Sequence, residues 1–322
     1  MPVSRSSGSG GEGPVPVAVV GVGALGSRHA RVYSDLPRAE LVGVADLDLD
    51  RARSVADKHG VAATTDYREL LSRVQAVSVT VPTIAHREVA VDLMRAGIDV
   101  LVEKPMAAAL DEAEEMIDAA RKNQRVLGVG HTERYNPAVE ALLGYCRDPR
   151  FIEVHRLASF NPRSLDIDVV LDLMIHDLDV VSSLVRSDIQ HVEAIGVPVL
   201  TERADIANAR LRFKSGCVAN LTASRISQEK MRKLRVWERE SYVSLDYLAQ
   251  EAWSYRLEKG EGRLEVVRQK LPTESQEPLK RELEDFLEAV IAGGTPRVSG
   301  EDGLKALQLA HRVMEAMGQN GS

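Results

Sequence analysis

Through about residue 135 the chain alternates between short apolar runs and amphipathic stretches of helical length. Val15–Val20, Glu40–Ala45, Val61–Ala63, Ala76–Val81, Ile98–Val102 and Val126–Val129 are rich in small and β-branched residues and read as strands. The stretch ending near Ser34, then Arg51–His59, Tyr67–Ser72, Ala85–Ala96 and Leu110–Lys122 read as helices or helical turns. Strands and helices in this alternation predict a parallel, doubly wound sheet.

After about Asn136 the rhythm changes. In Val169–Val185 the residues Val170, Leu171, Met174, Ile175, Leu178, Val181 and Val185 fall at helical spacing and form one apolar face. Strand-like segments follow at His191–Leu200, Asn208–Phe213, Cys217–Ala223, Leu234–Glu238 and Tyr242–Asp246, several divided by turns such as Lys214-Ser215-Gly216. They predict an antiparallel or mixed sheet. Helices near Pro278–Ala292 and Glu301–Met317 close the chain. The expected organisation is a nucleotide domain over 15–135 and an α+β domain over 136–322, with terminal helices able to pack back on the first. Residues 1–14, rich in Ser, Gly and Pro with no apolar core, read as a disordered tail rather than a signal peptide.

Composition narrows the function. With 44% hydrophobic and 28% charged residues, this is the make-up of a globular protein, and a formal charge of −7 opposes general nucleic-acid affinity. No apolar run reaches the roughly 18 residues of a membrane span. Cys146 and Cys217 are too few for a disulfide framework, which points to a reducing cytoplasm.

Candidate chemistry sits at strand ends. Gly21, Gly23 and Gly26, with Ala24 and Leu25 between them, form a G-x-G-x-x-G loop between a strand and a helix. Such a loop allows a tight turn, close backbone approach and a pyrophosphate at the helix N-terminus. Asp46 ends the next strand, where a carboxylate accepts hydrogen bonds from an adenosine ribose. Leu47 follows it, with no adjacent arginine for a 2′-phosphate, so NAD is expected over NADP, although Arg51 and Arg53 lie nearby. Thr80, Pro82 and His86 follow the fourth strand and line the expected ligand crevice, with a helix-surface histidine the other reading of His86. Glu103-Lys104-Pro105 ends the fifth strand, and Glu103 and Lys104 are expected there among the cofactor contacts. An ammonium beside a hydroxyl oxygen would stabilise negative charge as its proton leaves. Standing alone, a lysine there would be a solvated charge.

Asp172, His176 and Asp179 fall at i, i+4 and i+7 beside the apolar face of the long helix. A carboxylate and histidine among apolar neighbours must be paired or functional. Histidine's ordinary pKa near 6.5 suits removal of a hydroxyl proton. A satisfied core His–Asp pair is the alternative. No metal site is expected, since neither H-E-x-x-H nor C-x-x-C occurs.

Taken together, these segments resemble the glucose–fructose oxidoreductase / inositol dehydrogenase / rhizopine-catabolism (Gfo/Idh/MocA) family. The resemblance covers nearly everything after residue 15, including Asp285-Phe286-Leu287 and Glu301-Asp302-Gly303. It implies a Rossmann domain joined to an open, mostly antiparallel sheet that builds a homodimer or homotetramer. It also implies Lys104 and His176 as the catalytic pair, with Asp172 beside them. One departure is that Asp168-Val169-Val170-Leu171 stands where many members have paired glycines before the helix aspartate.

A narrower resemblance rests on His131-Thr132-Glu133-Arg134-Tyr135-Asn136-Pro137, Arg156-Leu157-Ala158-Ser159-Phe160, Ala207-Asn208-Ala209-Arg210 and Ala219–Arg225. It is to the branch acting at C3 of UDP-N-acetylglucosamine, in 2,3-diamino sugar formation for lipid A. Arg156, Arg163, Arg225, Arg232 and Lys233 supply cations for a diphosphate, for which arginine forks are suited. The expected substrate contacts are Lys104, Arg134, Asn136, Arg156, Arg163, Asp172, His176 and Arg225. Another nucleotide sugar, a cyclitol or a monosaccharide remains open as substrate, as does a dinucleotide-sensing regulator, which would need neither Lys104 nor His176.

Overall fold

In the computed structural model, which describes residues 13–160, 167–259 and 263–319, the early alternation becomes β1 (Val15–Val20), α1 (Gly26–Asp35), β2 (Ala39–Ala45), α2 (Leu49–His59) and β3 (Ala62–Thr64). It continues with β4 (Ala76–Val79), α3 (His86–Arg95), β5 (Asp99–Glu103), α4 (Leu110–Asn123) and β6 (Leu127–Gly130). The six strands are parallel and ordered β3-β2-β1-β4-β5-β6, so the direction of strand addition reverses between β1 and β4. Ligands bind outside the carboxyl ends of strands at such a switch point. Local signals fix the pieces: Asp48 caps α2 by accepting the Asp50 and Arg51 N–H groups, and Gly60, at φ 67°, ends it. The cap sets the start of α2 at Leu49, two residues before the pattern places it.

β1, α1 and α2 share a core with residues from near the other end of the chain. Val17, Val19, Tyr33 and Val55 are buried with Leu283, Phe286, Leu287 and Val290. The chain divides into two compact units: the described residues through Thr132 with Leu279–Leu304, and Glu133–Pro278 with those from Lys305 onward.

The second unit opens with α5 (Pro137–Tyr145) and β7 (Phe151–Leu157). A π-helical turn, Val170–Met174, then leads into α6 (Ile175–Val185). Seven strands follow: β8 (Ile189–Val197), β9 (Ile206–Phe213), β10 (Val218–Ser224), β11 (Met231–Trp237), β12 (Ser241–Asp246), β13 (Glu251–Lys259) and β14 (Leu264–Lys270). The eight strands are ordered β14-β13-β12-β11-β7-β10-β9-β8 and pair antiparallel except β7 with β10. Alternation divides the faces: β9 buries Ala207, Ala209, Leu211 and Phe213 while exposing Asn208, Arg210 and Arg212. Phe151, Trp237, Tyr242 and Tyr255 form a ladder across four strands, with ring centroids 5.1–5.2 Å apart. The last helices are α7 (Pro278–Ala292) and α8 (Gly300–Gln319).

Candidate active site

In the first unit the glycine loop joins β1 to α1 at the switch point. Gly21 has φ 87°, and a Cβ there would lie 2.7 Å from the Val81 nitrogen and 2.8 Å from the Thr80 carbonyl oxygen. A Cβ on Gly26 would fall 1.9 Å from the Gly21 oxygen and 2.5 Å from Thr80 Oγ1. One on Gly23 would meet nothing within 4 Å. Gly21 and Gly26 thus let the turn close on β4, while Gly23 leaves the backbone open to approach, as dinucleotide binding requires. Gly23, Ala24 and Leu25 are exposed, and α1 has no side-chain cap and no acid in its first turn, a terminus that suits an anion. Thr80 Oγ1 donates to the Val20 and Gly21 carbonyl oxygens, which leaves Pro82 as the exposed member of that strand end. We expect Gly26→Ala to weaken NADH binding, read by fluorescence titration, by at least about tenfold, since this overlap with backbone exceeds ordinary overpacking. Unchanged affinity would overturn that account.

Asp46 sits at the end of β2, as the spacing predicts. Its Oδ2 accepts the Val22 N–H at 2.8 Å, and its Oδ1 accepts the Asp48 N–H at 3.0 Å and Arg51 Nη1 at 3.2 Å. Arg51 also pairs with Asp48 at 3.2 Å, so the nearby arginine is held among acids.

His86 is buried, with Nε2 2.9 Å from the Val81 carbonyl oxygen and Nδ1 3.0 Å from that of Pro105. Burial lowers its pKa against the pull of those two carbonyls. Its ring stands between two strand-end loops, with a backbone carbonyl beside each nitrogen. The Lys104–Pro105 peptide is cis, and Lys104 is half-buried. Glu103 faces inward: its Oε1 lies 3.1 Å from His29 Nε2 and its Oε2 accepts the Lys104 N–H at 3.1 Å. Burial opposes ionisation, but His29 and Lys104 together hold the Glu103 carboxyl below its ordinary value.

In the second unit the polar stripe begins in the π-turn, where the Ile175 N–H reaches back to the Val170 oxygen. The sequence predicts one continuous α-helix here. Such turns recur at functional sites because they redirect side chains within a helix. Asp172 and His176 are half-buried on this segment. Asp179, third in the stripe, is buried and accepts from Arg134 Nη1 at 3.1 Å; the same guanidinium donates to Ser183 Oγ. Arg134 is thereby tied to α6, not set out for a substrate. Asn136 caps α5, accepting the Ala138 N–H at 3.1 Å and donating to the Tyr247 oxygen at 3.0 Å.

Of the expected cation cluster, Arg156 and Arg232 are register partners on β7 and β11 that share Glu133, while Arg225 is held on Asp205. Arg156 is 2% exposed, with Nε and Nη2 on Asp177 at 2.6 and 2.9 Å and Nη1 on Glu133 at 3.0 Å. Arg225, 4% exposed, donates to Asp205 at 2.9 Å, the Ile167 carbonyl at 2.9 Å and Thr201 Oγ1 at 3.2 Å. Both forks meet this chain's own acceptors. Arg232, 33% exposed and 3.6 Å from Glu133, and Lys233, 3.9 Å from Asp246, are freer, and Arg163 lies outside the described residues.

His29, Glu133, Asp177 and Asp205 escape the sequence reading. Asp205 alone accepts the N–H groups of Val199, Leu200 and Thr201. His29 carries a usable signal, a polar residue on the helix face where Gly26, Ala30 and Tyr33 are buried. A cavity of about 420 Å³ is lined in part by Arg121, Gln124 and Ser299. It sits at the start of β6, the sheet end opposite the glycine loop. Among the described residues no group of three His, Cys, Asp or Glu side chains is placed to hold a metal, and no helix is long and apolar enough to cross a membrane.

Known proteins carry the same two parts. A family model described as "Oxidoreductase family, NAD-binding Rossmann fold" matches residues 15–131, and one described as "Oxidoreductase family, C-terminal alpha/beta domain" matches 166–322. UDP-N-acetylglucosamine 3-dehydrogenase of Acidithiobacillus ferrooxidans is 38% identical over 305 residues, 93% of this chain and 96% of that protein. A solved structure of that enzyme matches with a TM-score of 0.88 at 37% identity, over 95% of this chain and 98% of that one. Myo-inositol 2-dehydrogenase of Thermotoga maritima is 26% identical over 325 residues, 95% and 97% of the two chains. Levoglucosan dehydrogenase, solved with NADH and levoglucosan, shares the fold with a TM-score of 0.86 at 19% identity, over 95% and 98%. The glycine loop lies within the match to the NAD-binding Rossmann model, both matched models are oxidoreductase models, and the chain belongs to the Gfo/Idh/MocA family of NAD-binding oxidoreductases.

Proposed function

We propose that this oxidoreductase oxidises the 3-hydroxyl of UDP-N-acetylglucosamine, the step that opens 2,3-diamino sugar formation for lipid A. The observation that carries the reading is full-length similarity: 38% identity over 96% of a relative bearing that activity, where the inositol-acting relative stands at 26%. Bound NAD supplies the hydride acceptor. This chain's residues do the rest. His176 takes the hydroxyl proton, Asp172 orients the imidazole or the sugar, and Lys104 stabilises the oxygen as negative charge develops on it. Arg156 and Arg225 contribute through the frame that carries α6, not through the diphosphate.

The test mixes purified protein with NAD and UDP-N-acetylglucosamine, follows NADH absorbance, and traps the ketone with an aminotransferase and glutamate. We expect NADH to form and the product to carry a keto group at C3. Formation of NADH only with free sugars or cyclitols, or oxidation at another carbon, would overturn the substrate assignment and leave the family intact.

A further inference from the structure

We propose that Glu103 is a positioning residue for Lys104, and that His29 locks it in place. The helix beneath the dinucleotide loop and the strand end bearing the lysine are then held as one piece. The inference rests on the role given above to Lys104.

The geometry is built around one buried carboxylate. Glu103 is the last residue of β5, so its successor leaves the sheet. One carboxylate oxygen takes the Lys104 backbone N–H at 3.1 Å, which fixes where the lysine departs. The other lies 3.1 Å from Nε2 of His29, which is fully buried in the first turn of α1. Gly130 on β6 makes room, since a Cβ there would fall 2.9 Å from the Glu103 carboxyl carbon. The carboxylate therefore touches both the helix that follows the glycine loop and the strand end that carries the lysine.

A second buried acid feels the charge of Glu103. Glu282, from α7, is buried in the same unit and accepts from Thr132 Oγ1 at 2.9 Å. Burial, with the charge of Glu103, pushes its pKa well up. A buried ion adds little stability relative to apolar packing of the same volume. Placement of the lysine accounts for keeping an ionised glutamate here.

The test compares Glu103→Gln, His29→Asn and their double variant with the parent enzyme. NADH affinity, KM for the sugar, kcat and melting temperature are measured for each. We expect kcat to fall about ten- to a hundredfold in either single variant, the cost of a misplaced catalytic group. NADH affinity and KM should stay near the parent values, and the double variant should cost no more than the worse single one. A second readout needs no sugar: the rate at which Lys104 is acetylated by an amine reagent, followed by mass spectrometry with NAD present. That rate should change several-fold in Glu103→Gln while other lysines keep theirs. Unchanged kcat and unchanged Lys104 labelling in both single variants overturn the inference. So does a loss of kcat that merely follows a loss of NADH binding and melting temperature. If the parent oxidises no sugar but the labelling still shifts, the functional reading fails and the positioning stands.

Discussion

Replacing Lys104 or His176 with alanine is expected to lower kcat by about two to four orders of magnitude, the usual span for losing a general base or an oxyanion-stabilising group. NADH affinity should survive, because the loop that binds it is built from Gly21, Gly26, Thr80 and Asp46, each braced by its own backbone contacts. Lys104→Arg should rescue poorly. It keeps the charge but replaces a compact ammonium with a planar fork that cannot occupy the same point beside one oxygen. His176→Asn should resemble the alanine variant, since an amide takes no proton. The check is steady-state kinetics paired with NADH fluorescence titration. Turnover like the parent's in either alanine variant removes that residue from the chemistry; loss of NADH binding alongside turnover would make it a cofactor ligand.

The second large effect concerns stability. Arg156→Met should destabilise the second unit by about 3–5 kcal/mol, because Asp177 would keep a buried charge with its guanidinium gone, while Glu133 would retain only Arg232, 3.6 Å away. The neighbouring Tyr247 ring, 5.1 Å from that guanidinium, would lose its cation as well. Pairing Arg156→Met with Asp177→Leu should recover much of the loss, since apolar replacement of both partners of a buried pair is often neutral. Calorimetry and denaturant titration measure this. If Arg156→Met instead melts like the parent and shows a raised KM for a UDP-sugar, the guanidinium belongs to the substrate after all.

That arginine also marks what a sequence hides. The glycine loop and Asp46 were legible because their chemistry is local: fixed spacings around one turn and one strand end. Lys104 was legible for the same reason, lying at the end of an obvious apolar run. Arg156 and Arg225 look like any surface cation in one dimension. Their partners stand 21 and 20 residues away and meet them only through the register of the folded unit. The π-turn before α6 leaves no mark in composition, because Val170, Leu171, Met174 and Ile175 keep helical spacing through it in the sequence. β14 was missed because six of its seven residues are exposed, so this edge strand shows no alternation. His86 shows the reverse case, a histidine read at a site's rim whose ring packs inside beside two carbonyl groups.

The layout of the first unit has a consequence for how the protein is made. Its core closes over β1 only when Leu283, Phe286 and Leu287 arrive, and the unit extends to Leu304. Domains emerge from the ribosome amino end first. A nascent chain that has already released its glycine loop still lacks one wall of the hydrophobic support beneath it. It must then make the whole of the eight-stranded sheet before that wall appears. The unit that carries the glycine loop is begun before the eight-stranded sheet and completed after it, so the growing chain has no finished support beneath that loop until residues 279–304 have been made.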